Sequence, residues 1–313
     1  MLTRRHIRAK VMQSVYAFVQ SGNDKVDGEQ KNMLRSIDNI FDLYILLLDL
    51  VVEVVEWDKN ILEKRKNRLS PQDRELAPNE KFANNKFVAK LAESKALNQN
   101  LEDRSLGWKD HDEYLQILLK EIKESDLYAK YIAKDSPRFK SDKNFMIDVY
   151  KEIIAPNEKI HEFIESENIS WLGDLAVANS MVVKSLTLIF EDSEDEQPLM
   201  TLYKDLEDKK FAIDLFKKTI LNSEKTRKLI SDKTPGWDSD RIAQLDLILM
   251  EMGLSEFLYF PSIPTKVTIN EYLELSKDFS TPKSRVFING VLDNLWRDLD
   301  KEGVIKKSGR GLI

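Results

Sequence analysis

The chain has 313 residues, 42% of them hydrophobic and 33% charged, with a formal net charge of −6, so it can bury a core as one large or two ordinary domains. Cysteine is absent, which excludes disulfides and thiolate metal sites. Its three histidines, His6, His111 and His161, lack metal-ligand spacing, and no glycine-rich phosphate loop, G-x-S-x-G elbow or H-E-x-x-H motif occurs. Catalysis, a cofactor and a bound metal are therefore not expected.

Glycine (10) and proline (9) are scarce and the apolar residues recur at helical spacing, which predicts an all-α fold. Met1 to His6 lack the apolar stretch of a secretory signal. A first helix is expected over Thr3–Ser21, with Ile7, Val11, Val15 and Phe18 on one stripe and Gly22-Asn23 as the stop. A long apolar helix follows from about Met33 through Trp57, with a charged continuation to Arg68 and a loop punctuated by Pro71 and Pro78. Its longest apolar stretch, Leu43 to Val55, is interrupted by Asp49 and Glu53 and is shorter than a membrane span, so a cytoplasmic protein is expected.

Further helices are expected over about 80–99, 111–134, 141–166 and 171–190, with Ser136-Pro137 ahead of the third and Ser170-Trp171 at the fourth. Tyr114, Tyr128, Tyr131, Phe139, Phe145 and Tyr150 are spaced as core residues rather than as a base-stacking platform. The acidic run Glu191 to Pro198 marks a linker, and helices over about 204–231, 238–259, 267–279 and 283–300 complete the chain. The expected division is an N-terminal helical region 1–198, a C-terminal helical bundle 199–300 and a basic, flexible tail 301–313.

Thr268 with Glu271 three residues on reads as a capping box that starts a helix. Thr281-Pro282 reads as an N-cap followed by proline at the first helical position. Phe287, Val291 and Leu295 then draw an apolar face. Gly290 within that helix costs about 1 kcal/mol relative to alanine, which implies a neighbouring backbone close by.

Two basic clusters stand out. Arg4-Arg5-His6-Ile7-Arg8-Ala9-Lys10 carries four formal positive charges and no acid, and Lys283 and Arg285 flank Ser284 at a fresh helix start. On charge alone, each fits either a solvated helix end or a phosphate-binding strip.

Several runs resemble the NusB family of bacterial transcription antitermination factors. The N-terminal run Arg5-His6-Ile7-Arg8, Gln13-Ser14-Val15-Tyr16 and Ser21 is similar to that family's arginine-rich first helix. Gly236-Trp237-Asp238 through Arg241-Ile242, Leu254-Ser255-Glu256-Phe257, Ile263 to Glu271 and Phe287-Ile288-Asn289-Gly290-Val291-Leu292-Asp293 are similar to its C-terminal signature. The resemblance covers about residues 4–21 and 205–297, and the helical region between them looks like the elaboration of longer, Bacteroidetes-type members.

The resemblance implies a non-catalytic, NusB-like helical bundle with an expanded N-terminal helical region. It implies recognition of boxA-type single-stranded RNA from ribosomal RNA transcripts, together with NusE, a small-subunit ribosomal protein. It also implies action on the RNA polymerase elongation complex with other Nus factors. RNA contacts are then expected from Arg4, Arg5, His6, Arg8, Lys10, Lys283, Ser284 and Arg285, and a partner contact from Glu256. His6 stands where the family commonly has arginine, Ser255 replaces its tyrosine, and Glu251 replaces an arginine. Asn270, Glu271, Asn289 and Asp293 match as structural residues. The alternative is a helical protein–protein adaptor that keeps this framework, for which separate rather than joined basic patches near Arg5 and Lys283 are expected.

Overall fold

The computed structural model describes residues 1–22, 24–67, 79–134, 138–192, 199–234 and 242–312. Pro71, Pro78, Ser136-Pro137, most of the acidic run (193–198) and the motif from Gly236 to Arg241 lie outside them. The described residues form α-helices and no strand. In chain order these are α1 (Arg4–Ser21), α2 (Val26–Lys66), α3 (Lys86–Ala92), α4 (Lys95–Arg104), α5 (Asp112–Glu124), α6 (Asp126–Ile132), α7 (Phe139–Val149), α8 (Glu158–Glu167), α9 (Ile169–Leu172), α10 (Leu175–Leu188), α11 (Leu206–Leu221), α12 (Ser223–Lys233), α13 (Gln244–Tyr259), α14 (Thr265–Phe279) and α15 (Pro282–Lys301). A π-turn over Tyr150–Ile154 extends α7. None of the described helices is long and apolar enough to cross a membrane.

The expected long helices of the middle region are broken into shorter ones by residues that cap. Ser94 accepts from the Leu97 amide and starts α4, Ser125 accepts from the Tyr128 amide and starts α6, and Asn157 accepts from the Lys159 and Ile160 amides and starts α8. Each side chain offers the backbone an alternative to continuing the helix.

The chain divides into two compact units, one of residues 38–202 and one of residues 2–37 with 203–313, and the division falls within α2. In the first unit, Leu43 to Val55 of α2 form the core with residues of α3 to α10. Tyr131, Phe139, Phe145 and Tyr150 are buried in it, and Tyr131 stacks on Phe145 at 3.9 Å. The Trp108 indole donates to the Leu46 carbonyl at 2.9 Å, which ties the loop before α5 onto α2. Asp49 is only 5% exposed, and no hydrogen bond or ion pair among the described residues reaches its carboxyl.

In the second unit, α13 is central. Every residue from Asp246 to Phe257 is buried, and α1, α11, α12, α14 and α15 pack around it. The buried polar groups of α13 are mostly met: Asp246 accepts from Ser280, and Glu251 accepts from Arg227 and Ser223 at 2.7 and 2.9 Å. Glu251, which stands in an arginine's place, thus takes its cation from α12. Ser255 Oγ finds no partner among the described residues.

Thr281 is the N-cap of α15 as expected, accepting from the Ser284 amide at 3.2 Å with Pro282 at the first turn. The capping box at Thr268 is not formed. α14 starts three residues earlier, at Thr265, and Thr268 is a buried interior residue whose hydroxyl donates to Glu256. Gly290 also departs from expectation: it is exposed, and a Cβ there would meet nothing within 4 Å. The close approach is at Gly253 of α13, where a Cβ would lie 3.1 Å from Leu292 Cδ2 of α15.

Two stability predictions follow from these environments. Gly290→Ala should raise the unfolding free energy by about 0.5–1 kcal/mol in a denaturant titration, since it removes backbone freedom without a clash; a loss would mean that something does crowd that position. For Asp49, burial, and then the nearby Glu53 charge, push the carboxyl up to about 7. Between pH 4 and 7 the unfolded chain therefore releases this proton before the folded one, so stability from this group is lost as pH rises and is fully lost above 7. The advantage of Asp49→Asn over the parent should grow by roughly 2–4 kcal/mol from pH 4.5 to 8, measured by chemical denaturation. A difference that does not change with pH would show that Asp49 titrates as an ordinary surface acid.

Candidate nucleic-acid interface

Helix α1 begins at an N-cap, Thr3, whose hydroxyl accepts from the His6 amide while His6 Nδ1 accepts from the Thr3 amide at 3.2 Å. His6 thus plays the part that Glu or Gln plays in a capping box. One turn later comes Arg8, whose guanidinium is turned inward. Its Nε donates to Glu256 Oε1 at 2.6 Å and its Nη2 to Glu256 Oε2 at 2.9 Å, a bidentate pair with both side chains almost fully buried. The Nη1 group reaches Glu271 Oε2 at 3.4 Å.

The Glu256 carboxylate is fully satisfied by its neighbours. It also accepts from Thr268 Oγ1 at 3.1 Å and from the buried Tyr272 hydroxyl at 2.7 Å. Burial works against the Arg8 charge, but the Glu256 carboxylate outweighs it and holds the guanidinium above its ordinary value. Burial and the same carboxylate push the Tyr272 phenol up, so it remains a donor. The backbone carbonyls of Glu256 and Phe260 accept from Lys307 Nζ at 3.1 and 3.0 Å. Burial of that ammonium lowers it to about 8. Ser308 N donates to the Pro261 carbonyl at 3.0 Å, so the C-terminal segment lies along the end of α13.

On the outer side of this cluster an open cavity of about 720 Å³ is lined by Arg4, Arg5, His6 and Arg8 of the first turns of α1 and by Glu271 and Arg310. Arg4 is oriented by Asp208 at 2.9 Å and by the Phe211 ring, 5.1 Å from its guanidinium carbon. Arg5 is bidentate on Glu271, at 3.1 and 2.9 Å, and its Nη1 lies 3.9 Å from Glu274. Those hydrogen bonds raise Arg5 above its ordinary value. Both side chains keep about two-fifths of their surface in solvent, at 39% and 44%.

The other expected residues fall differently. Lys10 is buried at 5% exposure with its Nζ 3.4 Å from Ser36 Oγ. Ser284 is buried in the first turn of α15, its hydroxyl 3.0 Å from Thr281 Oγ1, while Lys283 and Arg285 are exposed on either side. Glu256 has no exposed surface. Lys277 donates to the Glu274 carboxylate of α14 and lowers it, and the charges of Arg5 and Arg285, one from each basic cluster, add to that effect. Sequence reasoning missed Arg310, which read as part of a loose basic tail. The contacts of Lys307 and Ser308 with the end of α13, which are long-range, bring it beside α1.

The fold and site define an all-helical protein whose described helices hold an arginine-bearing first helix against a buried glutamate and leave basic side chains around an open cavity. The NusB family model matches residues 176–297. The chain is 37% identical to the transcription antitermination protein NusB of Salinibacter ruber over 127 residues, which are 39% of this chain and 79% of that protein. It is 45% identical to the protein of the same name from Koribacter versatilis over 101 residues, 32% of this chain and 69% of that protein. It is 37% identical to that from Chloroherpeton thalassium over 109 residues, 35% of this chain and 52% of that protein. The chain belongs to the NusB family. No solved structure matches it significantly. The family model's span does not include α1, but α1 packs on α11, α13 and α14, which all lie within that span.

Removing Arg8 strands a buried carboxylate, so Arg8→Ala should cost about 3–5 kcal/mol of stability. The half-exposed Arg5→Ala should cost less than about 1 kcal/mol. Equal losses in a denaturant titration would contradict the different burial of the two arginines.

Proposed function

We propose that this chain is a transcription antitermination factor, as its relatives are named, and that it acts by binding RNA. The observation that carries this reading is the convergence of Arg4, Arg5 and Arg310 around one open cavity, with Arg4 held by Asp208 and Arg5 by Glu271. Lys283 and Arg285 are exposed at the start of α15, where a helix N-terminus favours phosphate, and Arg285 acts on the same Glu274 carboxylate as Arg5. That Arg5 and Arg285 act on one carboxylate supports RNA binding over a protein–protein adaptor.

In this reading Arg4, Arg5, Arg310, Lys283 and Arg285 meet RNA phosphates. Arg8, Lys10, Ser284 and Glu256 are positioning residues, because burial keeps them from a ligand. His6 holds the start of α1. The RNA is a boxA-type single strand of ribosomal RNA transcripts, bound together with NusE, and the assembly acts on the elongating polymerase with other Nus factors. No step requires catalysis.

The test is binding of the full chain to a boxA-type RNA and a scrambled control across a salt series, with and without NusE. Preference for boxA, strengthened by NusE, is expected. Arg5→Ala and Arg310→Ala should each flatten the slope of log affinity against log salt by about 0.7, the loss of one single-strand phosphate contact. Parental slopes in both variants would contradict the assignment, and no preference with NusE present would favour the adaptor.

A further inference from the structure

The unit of residues 38–202 contains a second cavity, of about 860 Å³, bounded by α2, α4, the loop before α5, α8 and α9. Asp49 and Glu53, one helical turn apart on α2, line it. Asp49 is 5% exposed and has no hydrogen-bond or ion-pair partner among the described residues, whereas most buried carboxylates are paired. We propose that this cavity is a binding site for an organic cation, an ammonium or guanidinium on an aliphatic stem, whose charged head lies against Asp49 and Glu53.

The charge of the walls points to the sign of the ligand. Besides those two acids, Glu102 of α4, Asp110 of the loop and Glu167 of α8 face the cavity, against Lys109 and His111 of the loop. An anion would meet a net negative wall, and a neutral molecule would leave Asp49 without a counter-charge. The carboxylates are not gathered for a metal: no three His, Asp or Glu among the described residues are placed to hold one. A cation that is large and partly apolar fits instead.

The remaining surface suits the stem. Leu46 and Val52 of α2 and Leu101 of α4 present aliphatic wall. Trp108 is fixed by its bond to the Leu46 carbonyl and by the Phe163 ring at 4.7 Å, and Trp171 is fixed by its indole bond to the Asn39 carbonyl at 2.8 Å. These contacts make the cavity a preformed one, so little ordering opposes binding. The same chemistry could come from a free polyamine or from a lysine or arginine side chain of a partner polypeptide.

The experiment titrates the full chain with spermidine, agmatine and an end-blocked lysine peptide, with 1,4-butanediol as the uncharged control. Calorimetry is read beside tryptophan fluorescence, because Trp108 and Trp171 line the site. Saturable binding of the cations and none of the diol is expected, at least about tenfold weaker in Asp49→Asn and weakened in Glu53→Gln. Affinity should also tighten by about tenfold from pH 6 to 8 as Asp49 ionises, a dependence that His111→Gln keeps and Asp49→Asn removes. Tighter binding of spermidine marks a free polyamine as the source, and tighter binding of the peptide marks a partner chain; both support the site. Absence of binding by all three cations, or equal binding by parent and both variants, would overturn it. Should Asp49→Asn fold poorly, the half-buried Glu53→Gln carries the comparison.

Discussion

The buried bidentate pair between Arg8 and Glu256 is the interaction on which the rest of the second unit depends. A guanidinium and a carboxylate taken out of water are costly unless every lone pair and proton finds a partner. Here Thr268 and Tyr272 of α14 complete the carboxylate and Glu271 takes the third arginine nitrogen. One charge pair therefore joins α1, α13 and α14. It also fixes the rotation of α1 about its own axis. With Arg8 pointing in, Arg4 and Arg5, four and three residues before it, lie on the same side of α1 one turn nearer its start, beside the open cavity.

The acids around the cavity do two things at once. Asp208, Glu271 and Glu274 hold Arg4 and Arg5 in set directions, which lowers the ordering cost of meeting a ligand. They also offset much of the local positive charge, in keeping with a chain whose formal net charge is −6. Phosphates must therefore compete with these carboxylates for the exposed part of each guanidinium. Affinity built this way relies on geometry and on a partner's added contacts more than on bulk charge.

The sequence made some of this legible. The stripe Ile7, Val11, Val15 and the stop at Gly22 gave α1 nearly to the residue, because a helix with one apolar face and a glycine end has few alternatives. The Thr281-Pro282 start was equally plain. What was hidden was long-range. Thr268 and Glu271 sit at capping-box spacing, yet a buried glutamate twelve residues before Thr268 claims the hydroxyl and two arginines claim the carboxylate. Arg8 looked like its neighbours Arg4 and Arg5, and only the packing of α1 on α13 separates an inward arginine from outward ones. Gly290 suggested a close contact because glycine in a helix needs a reason; the contact is at Gly253, and the structure gives no reason for Gly290. In the middle region, Ser94, Ser125 and Asn157 start new helices, starts that the continuous apolar spacing around them conceals.

The central claim is that RNA meets the face of α1 held by the Arg8–Glu256 pair. Hydrogen exchange of the full chain, free and saturated with boxA-type RNA and NusE, tests it most directly. The account predicts new protection at the start of α1, at the start of α15 and around Arg310. Protection confined to residues 38–202, with those three segments unchanged, would contradict it.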